Sequence, residues 1–136
     1  DMRLHGIDHF TIRCHPDELP MLLAFYTAAL GLTPGPRPSF DFAGHWLYAD
    51  GRALVHLAAN DPSPPALPAA TGRLDHVSLR TSGLVQARER LDRCGVPYQE
   101  LPVPGMPLHQ LFLRDPTGFK IELTFDAAEA STAPGG

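Results

Sequence analysis

Apolar and polar residues alternate through "IDHFTIR" (7–13), and again through "LDHVSLR" (74–80), 67 positions later. Alternation at period two is the pattern of a half-buried strand, with one set of side chains on each face. The two segments also agree class by class: apolar, Asp, His, apolar, hydroxyl, apolar, Arg. After each copy the period changes. "HPDELPMLLAFYTAALGL" places Leu22, Phe25, Ala29 and Leu32 at helical spacing, with Asp17 expected as N-cap, Pro20 tolerable in the first turn and Gly31 as the stop. "TSGLVQARERLDRCGV" repeats the scheme, with Ser82 as cap, Leu84, Ala87 and Leu91 facing inward and Gly95 as stop. Residues 33–40 read as a proline-broken extended stretch. "HWLYA" (45–49) and "RALVHLA" (52–58) then flank the hairpin dipeptide Asp50-Gly51. In the second half "YQEL" (98–101) is extended, and "HQLFLR" (109–114) and "FKIELTF" (119–125) flank the turn "DPTG".

Each half is therefore expected to be βαβββ: a first module over 1–59, a stiff proline-rich linker over 60–72, a second module over 73–125, and a low-complexity mobile tail over 126–136. The fold class expected is α+β, with two tandem βαβββ modules in one structural domain. A unit this small cannot cover its sheet alone, so the two sheets must pack with each other or with a partner chain.

Composition removes several classes of partner. A net charge of −4 supplies no basic face for nucleic acid. No apolar run approaches the roughly 18 residues of a membrane span, and no leader pattern opens the sequence. Cys14 and Cys94 form no CxxC and read as free thiols, which suits a cytoplasmic protein.

Histidine is the abundant chemistry-bearing residue, with seven in the chain. If the two opening strands are equivalent, His9 and His76 occupy matched places and can face one another. The last strand of each half adds His56, five residues past Gly51, and Glu122, four past Gly118. Glu122 sits between Ile121 and Leu123, where an unpaired carboxylate would be costly and a divalent metal is its simplest partner. Four candidate ligands, two per half, point to a metal site. His9, His76 and Glu122 make a two-histidine, one-carboxylate set that leaves positions open for substrate.

Paired βαβββ modules with "DH" opening each, "AFYTAALGL", "WLYADGRALVHL" and "LFLRDPTGFKIEL" resemble the vicinal oxygen chelate superfamily. That is the group of glyoxalases, bleomycin resistance proteins and extradiol dioxygenases. The resemblance spans residues 4–125 and implies a cupped, barrel-like mixed sheet with helices outside. It implies one divalent metal (Fe, Mn, Ni, Co or Zn) on His9, His56, His76 and Glu122. It further implies a lyase, isomerase or dioxygenase acting on a small substrate with adjacent oxygens, with Glu122 and His56 as catalytic groups. The second ligand position is commonly Glu or Gln in the isomerase-like branches; here it is His56, either a ligand or a general base. The alternative within the group is a metal-free protein that binds a small molecule or drug.

Arg13 and Arg80 follow His9 and His76 on the same strand face and would suit a carboxylate or phosphate, unless the strand ends turn to solvent there. Trp46, Tyr48, His109 and Gln110 are expected on cavity walls. Phe25, Tyr26 and Leu30 are assigned to core. A two-fold homodimer is expected, its metal centres built within one chain or shared between two.

Overall fold

The computed structural model describes residues 2–3, 5–61 and 74–131. Most of the expected linker, and residues 132–136 of the expected tail, fall outside the described residues. The described residues up to Asp61 form one compact unit and those from Leu74 onward a second.

The first unit contains β1 (Phe10–Arg13), a helical segment, β2 (Thr33–Gly35), β3 (Gly44–Ala49) and β4 (Arg52–Ala58), in the sheet order β1-β4-β3-β2. The second contains β5 (His76–Arg80), helix α2 (Leu84–Arg93), β6 (Gln99–Pro102), β7 (Leu108–Arg114) and β8 (Lys120–Asp126), in the order β5-β8-β7-β6. The two sheets therefore share one topology. In each, the opening strand runs parallel to the last, and the other pairs are antiparallel.

Register makes the repeat quantitative. Thr11 lies opposite His56 in the first sheet, and Ser78 lies opposite Glu122 in the second. Since Thr11 and Ser78 each stand two residues past the repeated histidine, His56 and Glu122 occupy equivalent points. The hairpin after β3 turns at Asp50 and Gly51, both with positive φ (51° and 76°), the backbone that this dipeptide adopts at least cost.

The alternation sorts each strand into two faces. Leu47, Val55 and Leu57 are buried with Leu22 and Tyr26 in the first unit, and Leu111, Leu113, Ile121, Leu123 and Phe125 with Leu84 and Leu91 in the second. The opposite faces hold the candidate chemistry.

Three local expectations need correction. The first helical segment is composite: a 3₁₀ turn (Pro16–Glu18), helix α1 (Leu19–Ala24) and a π turn (Phe25–Ala29). Its N-cap is His15, whose Nδ1 accepts from the Asp17 amide, while Glu18 reaches back to the His15 amide. An imidazole nitrogen thus replaces the expected Asp17 carboxylate, because Asp17 already lies inside the turn. In the π turn, the Thr27 hydroxyl donates to the Leu23 carbonyl at 2.7 Å, one turn back. Helix α2 is capped by Gly83 at φ 87°, not by Ser82. Glu129 supplies the missing acceptor, taking the Gly83 and Leu84 amides at 2.9 and 3.0 Å. Glu129 stands on helix α3 (Ala127–Ser131), at the start of the stretch expected as tail.

Candidate metal centre

His9 immediately precedes β1. Its Nδ1 meets the Asp8 carboxylate at 2.8 Å. An ionised carboxylate only accepts, so Nδ1 carries a proton, and in the neutral ring the Nε2 lone pair is left for a metal. The same arrangement recurs in the second unit, where His76 Nδ1 donates to Asp75 at 2.7 Å. Lys120 also donates to that Asp75 oxygen, at 2.9 Å. These two hydrogen bonds, that from His76 first, hold the Asp75 pKa down to about 2. Asp8 is lowered as well, chiefly by its hydrogen bond from His9.

In the second unit, His76 Nε2 faces Glu122 Oε1 at 3.4 Å. When protonated, Nε2 donates to this carboxylate; when the ring is neutral with its proton on Nδ1, the Nε2 lone pair and the Glu122 oxygen are two donors placed for one cation. The other Glu122 oxygen is already engaged by Gln110 Nε2 at 3.1 Å, and that amide also donates to Thr124 at 3.0 Å. Thr124 shares a 2.7 Å hydrogen bond with Ser78. Glu122, only 13% exposed at its side chain, is thus fixed through one oxygen and free at the other. A hard or borderline divalent ion suits this pair of donors.

The first unit is arranged differently. The His9 and His56 rings stack at 3.8 Å with an 11° tilt, and Trp46 stacks on the other face of His56 at 4.0 Å and 12°. His56 Nε2 donates to the Ala53 carbonyl at 3.1 Å. Burial, and then the neighbouring His9, push the His56 pKa down, which favours the neutral ring. A metal on an imidazole lies in the ring plane, about 2 Å from nitrogen. The two ring planes lie nearly parallel and do not converge on a common point in this arrangement. Asp8, His9, Trp46, Arg52, Ala53 and His56 line a cavity of about 360 Å³.

The remaining expected residues divide. Arg13 lies on the exposed face of β1 with Thr11, and its Nε donates to Asn60 at 3.1 Å. Arg80 is exposed on the same face of β5 as His76 and Ser78. Tyr48 is turned toward β2: its ring covers Gly35, where a Cβ would fall 2.6 Å from Cε1, and its hydroxyl donates to Pro36. His109 is a correction. It is adjacent to Gln110 in one strand and so points to the other face, where its Nε2 meets Glu100 at 2.9 Å and Glu100 pairs with Arg88 of α2. It belongs to the helix side of the sheet, on the face opposite Gln110.

Asp8, Asp75, Lys120 and Thr124 were not singled out from the sequence. The aspartates had a visible signal, since both copies of the repeat read Asp-His. Within either unit, the four candidate ligands gather only in pairs, His9 with His56 and His76 with Glu122.

Two like modules, each opening on an Asp-held histidine, define a glyoxalase-like α+β protein. The chain belongs to the Glyoxalase/Bleomycin resistance protein/Dioxygenase superfamily, whose family model matches residues 6–123. It is 31% identical over 128 residues to "Glyoxylase I 4" of Arabidopsis thaliana, covering 90% of this chain and 71% of that protein. Its fold is shared with a glyoxalase family protein from Bacillus anthracis (TM-score 0.72, 19% identity, 93% of this chain and 98% of that one). It is also shared with a fosfomycin resistance protein from Listeria monocytogenes, solved with Mn(II) and 1S,2S-dihydroxypropylphosphonic acid (TM-score 0.64, 15% identity, 92% and 94%).

Proposed function

We propose that this chain is a divalent-metal-dependent enzyme of its superfamily, acting on a small oxygen-chelating substrate. The observation that carries the reading is the His76–Glu122 pair: Nε2 and a carboxylate oxygen, both able to ligate a metal, face each other at 3.4 Å, and each group is held in place through its other polar atom. His9, His76 and Glu122 would hold the ion, one of Fe, Mn, Ni, Co or Zn. When bound, it supplies Lewis-acid stabilisation of negative charge developing on substrate oxygens.

The chain's own residues would do the rest. Gln110 holds the Glu122 carboxylate in place, and Asp8 and Asp75 orient the histidines. His56, kept neutral with Nε2 on Ala53, exposes Nδ1 beside the site. A cavity of about 740 Å³ adjoins Lys120 and Phe112, which flank Glu122 along β8 and across from it on β7. Its wall is apolar at Leu101 and Phe112 and cationic at Arg114 and Lys120, which suits a small substrate with an apolar body and anionic oxygens.

Replacing Glu122 by Gln tests the site. Metal per chain, read by mass spectrometry, is expected to fall roughly ten-fold or more, since a ligand matters at least as much as the groups that orient it. Full metal content in Glu122→Gln would remove Glu122 from the ligand set. Turnover on methylglyoxal–thiol adducts, catechols or acyl thioesters is expected to vanish with EDTA and return with one preferred metal. Ligand binding that ignores EDTA, with no turnover on any of these classes, would favour the metal-free binding protein.

A further inference from the structure

We propose that Asp8 and Asp75 are positioning residues that lock His9 and His76 in the tautomer with the proton on Nδ1, presenting Nε2 to the metal, and that Lys120 makes the second lock the firmer one. This deepens the proposed function and rests on it for the identity of the ligand.

Three observations carry the assignment. The contact occurs twice, at equivalent places in two modules, at 2.8 and 2.7 Å, always between a histidine Nδ1 and the residue just before it. In each pair the acceptor is a carboxylate, so the direction of the hydrogen bond is fixed by chemistry. In the second pair the free nitrogen is the one turned to Glu122.

A histidine without such a partner divides between two tautomers, and only the one with a bare Nε2 can bind through that atom. A carboxylate on the opposite nitrogen removes the wrong form and makes the ring a better donor. The two locks differ in their own support. Asp75 accepts from Lys120 at 2.9 Å and is 68% exposed at its side chain, whereas the Asp8 side chain is 90% exposed. Near Asp8, Arg52 donates at 3.3 Å to the Ile7 carbonyl and so holds the backbone. Asp8 therefore keeps more freedom to leave its histidine.

The test uses Asp8→Asn and Asp75→Asn chains with ¹⁵N-labelled histidine. An asparagine can turn its amide and donate to Nδ1, which reverses the tautomer. In metal-free protein at alkaline pH, ¹⁵N spectra of the wild type are expected to show His9 and His76 protonated on Nδ1. Asp75→Asn should move His76 toward the Nε2-protonated form. Cobalt(II) affinity, titrated by calorimetry, should fall roughly 10- to 100-fold in Asp75→Asn and less in Asp8→Asn. Lys120→Met should lower it by less than Asp75→Asn while leaving the His76 tautomer in place. Both aspartates are exposed, so an unchanged backbone amide spectrum is expected and separates misfolding from loss of the lock. An unchanged His76 tautomer in Asp75→Asn, or unchanged cobalt affinity, would overturn the proposal. Wild-type protein that takes up no metal while its tautomers behave as stated would overturn the proposed function instead, because the spectra read the lock without metal.

Discussion

His56 has a ring partner on both faces, His9 on one and Trp46 on the other, and its Nε2 is spent on the Ala53 carbonyl. Such a residue is held by packing and offers only Nδ1. If its contribution is to stack on His9 and not to ligate, His56→Phe keeps the stack and loses the nitrogens. Metal content of His56→Phe is then expected to stay within about two-fold of wild type, while His9→Phe loses the metal roughly ten-fold or more. Equal losses in the two variants, measured by mass spectrometry, would return His56 to the ligand set. At the same scale, Gly35 exists for Tyr48: any side chain there would meet the tyrosine ring at 2.6 Å.

Two elements of the second unit are tied by charge. Glu100 of β6 joins Arg88 of α2 to His109 of β7, and Arg88 first, with His109 after it, holds the Glu100 pKa below the usual carboxylate range. A carboxyl whose folded pKa is depressed contributes stability above its unfolded pKa and loses it as pH falls through the folded value. Urea unfolding of the wild type should therefore lose stability from neutral pH down through the carboxylate range. Glu100→Gln should lose less over that interval, having surrendered the contribution already at neutral pH. Parallel losses in the two proteins would show that the pair does not stabilise the fold. Glu129 makes a comparable link between elements, because α3 lends its carboxylate to the N-terminus of α2, where two amides would otherwise lack acceptors.

On the scale of the molecule, two modules of one topology each carry half of the candidate ligands, and neither half holds three. The set proposed above, His9, His76 and Glu122, draws on both modules, from one chain or from two. The homodimer expected from the sequence is tested by light scattering, which should give twice the 14.8 kDa of the chain. A mass of one chain at micromolar concentration would defeat it. Mixing His9→Ala and Glu122→Gln chains then reads the geometry. Partial recovery of metal indicates centres shared between chains, and no recovery indicates centres within one.

The sequence by itself determined what is local or repeated. Alternation and helical spacing follow from the covalent geometry of the chain, so β4 at Arg52–Ala58 and the Asp50-Gly51 turn were legible residue by residue. Repetition made His9 and His76 equivalent, and the matched register of His56 and Glu122 agrees with that reading. Tertiary structure alone decided which groups from distant segments meet. Glu129 caps a helix that begins 45 residues before it, and Lys120 lies 45 residues from the Asp75 it holds. No period in the sequence encodes such pairs, because they depend on how strands lie side by side. The same holds for His109: it was expected on a cavity wall together with Gln110, and only its contact with Glu100, which pairs with Arg88 of α2, identified the helix side of the sheet as its place. The stacking of His56 between His9 and Trp46 was hidden for a further reason. A ligand pattern specifies residue types, whereas the plane of an imidazole is set by whatever packs against it.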